Sequence, residues 1–189
     1  NGAGKSTLMK VLGGVYAPDA GEILVDGVPV RFVHPAAARA AGISIIHQEL
    51  SLLPDRSVAE NIHLGIEPVR RFRLDRAAMR AGARSLLARL SSDIDPDTPA
   101  RDLTIAEQQT VEIAKALAID ARILVMDEPT AALDDVEAAR LLQLVRGLKD
   151  AGVAVVYISH RMPEVFAIAD TVTVLKDGRH VATRPRAET

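Results

Sequence analysis

The chain begins Asn-Gly-Ala-Gly-Lys-Ser-Thr, a lysine and two hydroxyl residues set directly behind small ones. That arrangement suits the holding of phosphate. Small residues let backbone N–H groups turn inward onto phosphate oxygens, and a helix starting just beyond adds the positive end of its dipole. Asn1, Gly2, Ala3, Gly4, Lys5, Ser6 and Thr7 are therefore candidate phosphate-binding residues. Lys5 would reach the β- and γ-phosphates of a nucleotide, and Ser6 would ligate Mg²⁺. A full phosphate loop carries a further glycine five residues before the second one. Here that glycine would precede Asn1, so the chain is expected to be truncated at its amino end, inside the loop. Taken alone, the run could also be an ordinary glycine-rich turn.

A second group of residues makes the turn reading less attractive. Ile123-Leu124-Val125-Met126 is an apolar run that ends in Asp127-Glu128-Pro129-Thr130. A buried strand of this kind delivers its terminal acids to the carboxyl edge of a sheet. Asp127 is placed to hold Mg²⁺ through water, and Glu128 to polarise an attacking water. A single aspartate closing a strand is commonplace. An Asp-Glu pair downstream of a lysine loop is the complementary half of a nucleotide-hydrolysing site.

The rest of the chain must bring these two ends together. Strand and helix signals alternate, which predicts a mostly parallel sheet covered by helices. A helix is expected over residues 6–12, stopped by Gly13-Gly14. A hairpin is expected around Asp26-Gly27, then a short helix opened by Pro35, then a strand over residues 43–46. From about residue 50 to 118 the β signal disappears, and helical periodicity appears in "SVAENIHLG", in "LDRAAMRAGARSLLARL" and over residues 105–117. The α/β pattern then resumes, with a helix over residues 136–149, the buried strand "VAVVYIS" and a closing hairpin in "TVTVLKDGRHVAT". Residues 1–49 and 119–189 are read as a nucleotide-binding α/β core, and residues 50–118 as an inserted helical subdomain.

Composition narrows the class. The 189 residues include 48% hydrophobic and 25% charged residues, enough for a buried core and a solvated surface. A formal net charge of −2 gives no electrostatic case for a general nucleic-acid binder. There is no cysteine, so thiolate metal sites and cysteine nucleophiles are excluded. No apolar run approaches the ~20 residues of a membrane helix.

"DEPTAALD", "QQTVEIAKAL" and "VYISHRMPEVFAIADTVTVLKDGR" resemble the ATP-binding cassette of membrane transporters, and the likeness runs the length of the chain. The resemblance implies a P-loop NTPase of the ABC ATPase fold with ATP and Mg²⁺ as ligands. It implies that Gln48 senses the γ-phosphate and touches the metal, that Asp134 lies across a dimer seam, and that His160 contacts the γ-phosphate beside the catalytic water. His34, His47, His63 and His180 are read as structural or solvent-exposed.

The family's Leu-Ser-Gly-Gly-Gln signature is altered here to Leu103-Thr104-Ile105-Ala106-Glu107. Ile105 and Ala106 replace glycines and restrict close backbone approach to phosphate. Glu107 brings a negative charge toward others. The expectation is a weakened signature facing one composite ATP site, while this chain's own phosphate loop, Glu128 and His160 serve the other.

The segment from "VHPAAARAAG" through "IHQELSLLPDRSVAENIHLG" is similar to the ATPases of simple-sugar importers (ribose, galactose, xylose and arabinose type). That likeness implies the first of two cassettes in a longer polypeptide. It would be a transport-coupled ATPase, a translocase, lying peripherally on the cytoplasmic face of the bacterial inner membrane. Its partners would be permease subunits, the second cassette and, indirectly, a periplasmic sugar-binding protein, with no nucleic acid. Importers of nucleosides or signalling furanones share much of this segment and remain open as alternatives. So do a soluble cassette acting on DNA ends or ribosomes, which the compact insert disfavours, and a degenerate module, which the intact Glu128 disfavours.

Overall fold

The computed structural model describes residues 3–188. The chain runs α1 (Lys5–Leu12), β1 (Ile23–Val25), β2 (Val28–Val30), α2 (Pro35–Ala40), β3 (Ile43–Ile46) and α3 (Val58–Ile62). It continues through β4 (Val69–Arg70), β5 (Arg73–Leu74), α4 (Arg76–Arg89) and α5 (Ile105–Ala118). Then come β6 (Ile123–Asp127), α6 (Asp135–Asp150), β7 (Ala154–Ile158), α7 (Met162–Ile168), β8 (Thr171–Lys176) and β9 (Arg179–Pro185).

Three strands, in the order β3-β6-β7, form a parallel sheet. β6 lies in the middle, and its residues show why. Leu124 and Met126 point into one apolar cluster with residues of α3, α4, α5 and α6. Val125 points into another with Met9 of α1, Phe32 and Ala38 of α2. Alternate side chains of a strand face opposite ways, so a strand covered on both faces must be apolar throughout. All three of these residues are fully buried. The remaining strands form antiparallel hairpins, β1–β2, β4–β5 and β8–β9. Asp26 and Gly27 both take positive φ, as the two-residue turn of a hairpin requires.

The expectation that the stretch from residue 50 to 118 carries no β structure is corrected. β4 and β5 pair as a two-residue hairpin, Val69 with Leu74 and Arg70 with Arg73, and Ser57 bridges to Pro99. Strands this short contain too few residues to show an alternation, and the turn residues Arg71 and Phe72 take positive φ without a glycine to announce it. The helix α7 is also absent from the sequence reading. Its visible signal is Pro163 in the first turn, the position where proline costs a helix least.

Among the described residues, no helix is long and apolar enough to cross a membrane. Asn61 is fully buried and organises the loop that leads into α3. Its amide accepts from Leu53 N–H at 2.7 Å and donates to the carbonyls of Leu53, Arg56 and Ser57. Asn61→Ala should cost about 1–3 kcal/mol, because those backbone groups lose their partner in a dry site. The check is a lower urea midpoint at unchanged slope.

Candidate functional site

The carboxyl edge of the parallel sheet collects the sequence-nominated groups. Asp127 closes β6, and Glu128 follows with φ of 48°. A left-handed backbone costs an L-residue about 1–2 kcal/mol. It is held here by the Glu128 N–H, which donates to Ile158 O at 2.9 Å on neighbouring β7. The turn aims the Glu128 carboxylate at the Lys5 ammonium and the His160 ring. Its Oε1 lies 3.7 Å from Lys5 Nζ and 3.3 Å from His160 Nδ1. The Glu128 side chain is largely shielded while that of His160 is mostly exposed.

Lys5 reaches this place because it opens α1. Gly4 caps that helix with φ of 90°, a conformation glycine adopts at no steric cost. A Cβ at Gly4 would also stand 3.4 Å from the Gly178 backbone in the β8–β9 turn. Ala3 precedes it in a bend, and Ser6 and Thr7 occupy the first turn of α1 with exposed side chains. The expectations for Asn1 and Gly2 fall outside the described residues.

Gln48 is exposed, two residues past β3. β3 pairs in parallel with β6, Ile46 opposite Met126. β3 ends at Ile46, so His47 and Gln48 follow it at the same sheet edge that Asp127 closes on β6. His47, expected to have a bland role, thus joins the site's field. The Asp127 carboxyl is raised above the ordinary aspartate range, first by burial and then by Glu128, with Lys5 and His47 opposing. A raised carboxyl pKa means that the ionised form is disfavoured in the fold.

The stability consequence has a definite sign. The penalty is absent below the unfolded pKa and complete above the folded one. Asp127→Asn should therefore raise the melting temperature of the nucleotide-free protein at neutral pH, and the gain should vanish on acidification. Thermal scans between pH 4 and pH 8 check both halves of that expectation.

The Mg²⁺ expectation can be tested on the same groups. Among the described residues no cluster of three or more His, Cys, Asp or Glu forms a metal cage. Mg²⁺ characteristically takes only one or two protein oxygens and completes its shell with water and phosphate. The Asp127 carboxylate, closing β6, and the Ser6 hydroxyl, in the first turn of α1, are oxygen donors of the kind and number that requirement asks for.

The altered signature lies elsewhere. Thr104 caps α5, and its side chain and that of Glu107 form a reciprocal capping box. Glu107 Oε2 accepts from Thr104 N–H at 2.8 Å and from Thr104 Oγ1 at 3.0 Å. Glu107 therefore has a local partner, which satisfies two groups at the helix start. Ile105 is exposed at the first position of α5, with Ala106 beside it. Asp134 caps α6 in the same manner, accepting from Glu137 N–H at 2.8 Å. Of the other histidines, His34 caps α2 through Nδ1, His63 Nδ1 meets Ala59 O, and His180 Nε2 meets Thr183 Oγ1.

A network around the buried Glu112, which the sequence reading missed, ties the Gln48 segment to α5. Glu112 accepts from Ser51 N–H at 2.7 Å and from Ser51 Oγ at 2.8 Å. Lys115 Nζ donates to the same Ser51 hydroxyl at 3.2 Å. The signal available in the sequence was a glutamate at a position of α5 that its apolar neighbours bury.

Comparison with known proteins covers the whole chain. Residues 1–131 match the family model described as ABC transporter. A ribose import ATP-binding protein, RbsA 2, of Streptomyces avermitilis is 55% identical over 186 residues, covering 98% of this chain and 37% of that protein. The ribose import ATP-binding protein RbsA of Chromobacterium violaceum is 55% identical over 190 residues, covering 100% of this chain and 38% of its own length. The chain thus spans well under half the length of these curated relatives. Among solved structures, cbiO1 from Clostridium perfringens, part of the ABC transporter complex cbiONQ, superposes with a TM-score of 0.84 at 27% identity, over 100% of this chain and 75% of that one. The ATP-binding cassette MJ0796, in a dimeric post-hydrolysis state bound to ADP and Pi, superposes with a TM-score of 0.79 at 25% identity, over 97% of this chain and 81% of that one.

Proposed function

The chain belongs to the ABC transporter family, and we propose that it forms an ATP-binding and ATP-hydrolysing cassette of a bacterial importer of simple sugars. One observation carries the reading: Glu128 stands between Lys5 and His160 at a single sheet edge. The names of relatives sharing 55% identity support the sugar class.

The residues divide the work as follows. Gly4, Lys5, Ser6 and Thr7 receive the triphosphate at the start of α1, where backbone N–H groups and the helix dipole favour anions. Lys5 is paired with Glu128 before nucleotide arrives. A single pair at this distance is worth between about 1 kcal/mol in water and about 4 kcal/mol at a surface dielectric. The β- and γ-phosphates carry more charge than one carboxylate, so Lys5 transfers to them and leaves Glu128 Oε1 free to hold water. Glu128 then takes a proton from the water whose oxygen attacks the γ-phosphorus. The bond from that phosphorus to the β–γ bridging oxygen breaks, and ADP leaves with the bond's electron pair. His160 and Gln48 border that water and the γ-phosphate from the two neighbouring strands. Mg²⁺, held through Ser6 and Asp127 with Gln48 nearby, would neutralise charge on the phosphates.

Residues 1–49 and 119–189 form the nucleotide-binding part of this reading, and residues 50–118 face the permease. Thr104–Glu107 and Asp134 lie at the seam with a second cassette. With Glu107 engaged in its own cap, the signature offers that seam a weakened phosphate contact. Disabling each composite site in turn should therefore reduce hydrolysis unequally; equal losses would remove the asymmetry. The assembly would sit on the cytoplasmic face of the inner membrane with permease subunits, served by a periplasmic binding protein.

Deleting the gene in its host and measuring uptake of ribose, galactose, xylose, arabinose and nucleosides tests the substrate class. Loss of uptake of one monosaccharide, restored by the wild-type gene and not by Glu128→Gln, is the expected result. Intact sugar uptake with failed nucleoside uptake would replace the sugar reading.

A further inference from the structure

Glu164, in the first turn of α7, is only 5% exposed. A carboxylate is rarely buried without partners that balance its charge. Its Oε2 accepts from three hydroxyls: Thr130 Oγ1 at 2.7 Å, Tyr157 OH at 2.9 Å and Ser159 Oγ at 3.3 Å. Its Oε1 lies 2.9 Å from Arg161 Nη1 but off the N–H direction, an ion-pair contact and not an aligned hydrogen bond.

The partners come from the turn after β6, and from β7 and the turn that follows it. Three of them, Thr130, Ser159 and Arg161, lie within two residues of Glu128 or His160. Thr130 lies two residues past Glu128, on the turn leaving β6. Tyr157 is in β7, and Ser159 directly precedes His160. Arg161 directly follows His160. Its N–H donates to Ser159 Oγ at 2.9 Å, and its Nη2 donates to Asp135 Oδ1 at 2.9 Å, beside Asp134. On the backbone, Glu128 N–H donates to the carbonyl of Ile158, the last residue of β7. The Glu164 carboxylate supplies the side-chain tie.

We propose that Glu164 is a positioning residue for ATP hydrolysis, binding the Glu128 turn and the His160 turn into one unit so that the two side chains keep their 3.3 Å approach. The inference rests on the ATPase reading above. Glu164 touches neither nucleotide nor water in this account; it acts through the two turns. A carboxylate suits the task because one oxygen can accept from several donors while the other faces Arg161. An amide of the same shape loses the charge and, on its nitrogen side, presents donors where an acceptor is needed. Displacing a reacting group by about 1 Å can cost about 10²-fold in rate.

The test uses the full-length polypeptide. Glu164→Gln should lower kcat for ATP by about 10–100-fold, with KM for ATP and equilibrium nucleotide binding held within about twofold. Thr130→Val, an isosteric removal of one donor, should lower kcat in the same direction, and the double variant should lose less than the product of the two. That single variant also reads the contact if Glu164→Gln does not fold. Unchanged kcat in folded Glu164→Gln would overturn the inference. So would independent, multiplicative losses, or a fall in kcat that is matched step for step by lost ATP binding and a lower melting midpoint. Glu128→Gln, measured alongside, separates the two claims. If it stalls turnover while Glu164→Gln does not, only this inference falls; if it turns over normally, the ATPase reading falls and takes the inference with it.

Discussion

Replacing Glu128 by Gln is expected to lower ATP turnover by about 10²–10⁴-fold, the range of a positioned acid–base group, while ATP remains bound. The geometry gives both halves of that result. The carboxylate lies 3.7 Å from Lys5 and 3.3 Å from His160, so it shares the place where a γ-phosphate and its attacking water would meet. The amide keeps the shape of the turn and the backbone bond to Ile158, but it cannot accept the water's proton. It also releases Lys5 from its carboxylate partner and takes a negative charge away from the phosphates. Binding should therefore be equal or tighter as hydrolysis stops. Single-turnover hydrolysis and equilibrium ATP binding on the same preparation check this. Wild-type turnover in a folded Glu128→Gln protein would remove Glu128 from the role of base.

Lys5→Ala is expected to do the reverse: weaken ATP binding and lower turnover together, the latter by about 10²–10³-fold, as for loss of one preorganised charge donor. Lys5 opens α1 immediately behind Gly4, so its ammonium and the helix N-terminus act on one anion. Removing it also leaves the shielded Glu128 carboxylate without its fixed cation, facing an incoming triphosphate. The two substitutions thus carry different signatures, lost binding for Lys5 and retained binding for Glu128. Titration calorimetry with ATP, followed by steady-state turnover, distinguishes them. If Lys5→Ala bound ATP as the wild type does, the phosphate-cradle reading of the first turn would fail.

Capping boxes show how local chemistry turns a charged side chain toward its own helix start. Glu107 reads in the sequence as a charge facing the seam. In the structure its carboxylate is turned back onto Thr104. Asp134 likewise satisfies the start of α6. Both arrangements follow the pattern of a hydroxyl or carboxylate three residues before a glutamate. That pattern is visible in the sequence.

By itself the sequence determined the parallel sheet with its central apolar strand, the hairpin at Asp26-Gly27, and the identities of Lys5, Asp127 and Glu128 as the groups to watch. These are short-range facts: periodicity, turn chemistry and residue type are written along the chain. Only the tertiary structure decided which residues hold that site together. Glu164 meets Thr130 across 34 residues, and Ser51 meets Glu112 across 61. A buried carboxylate and a buried hydroxyl carry no mark in the sequence that names their partners. The pairing is chosen when helices pack against the sheet and water is excluded, because only then does an unpaired polar group become costly.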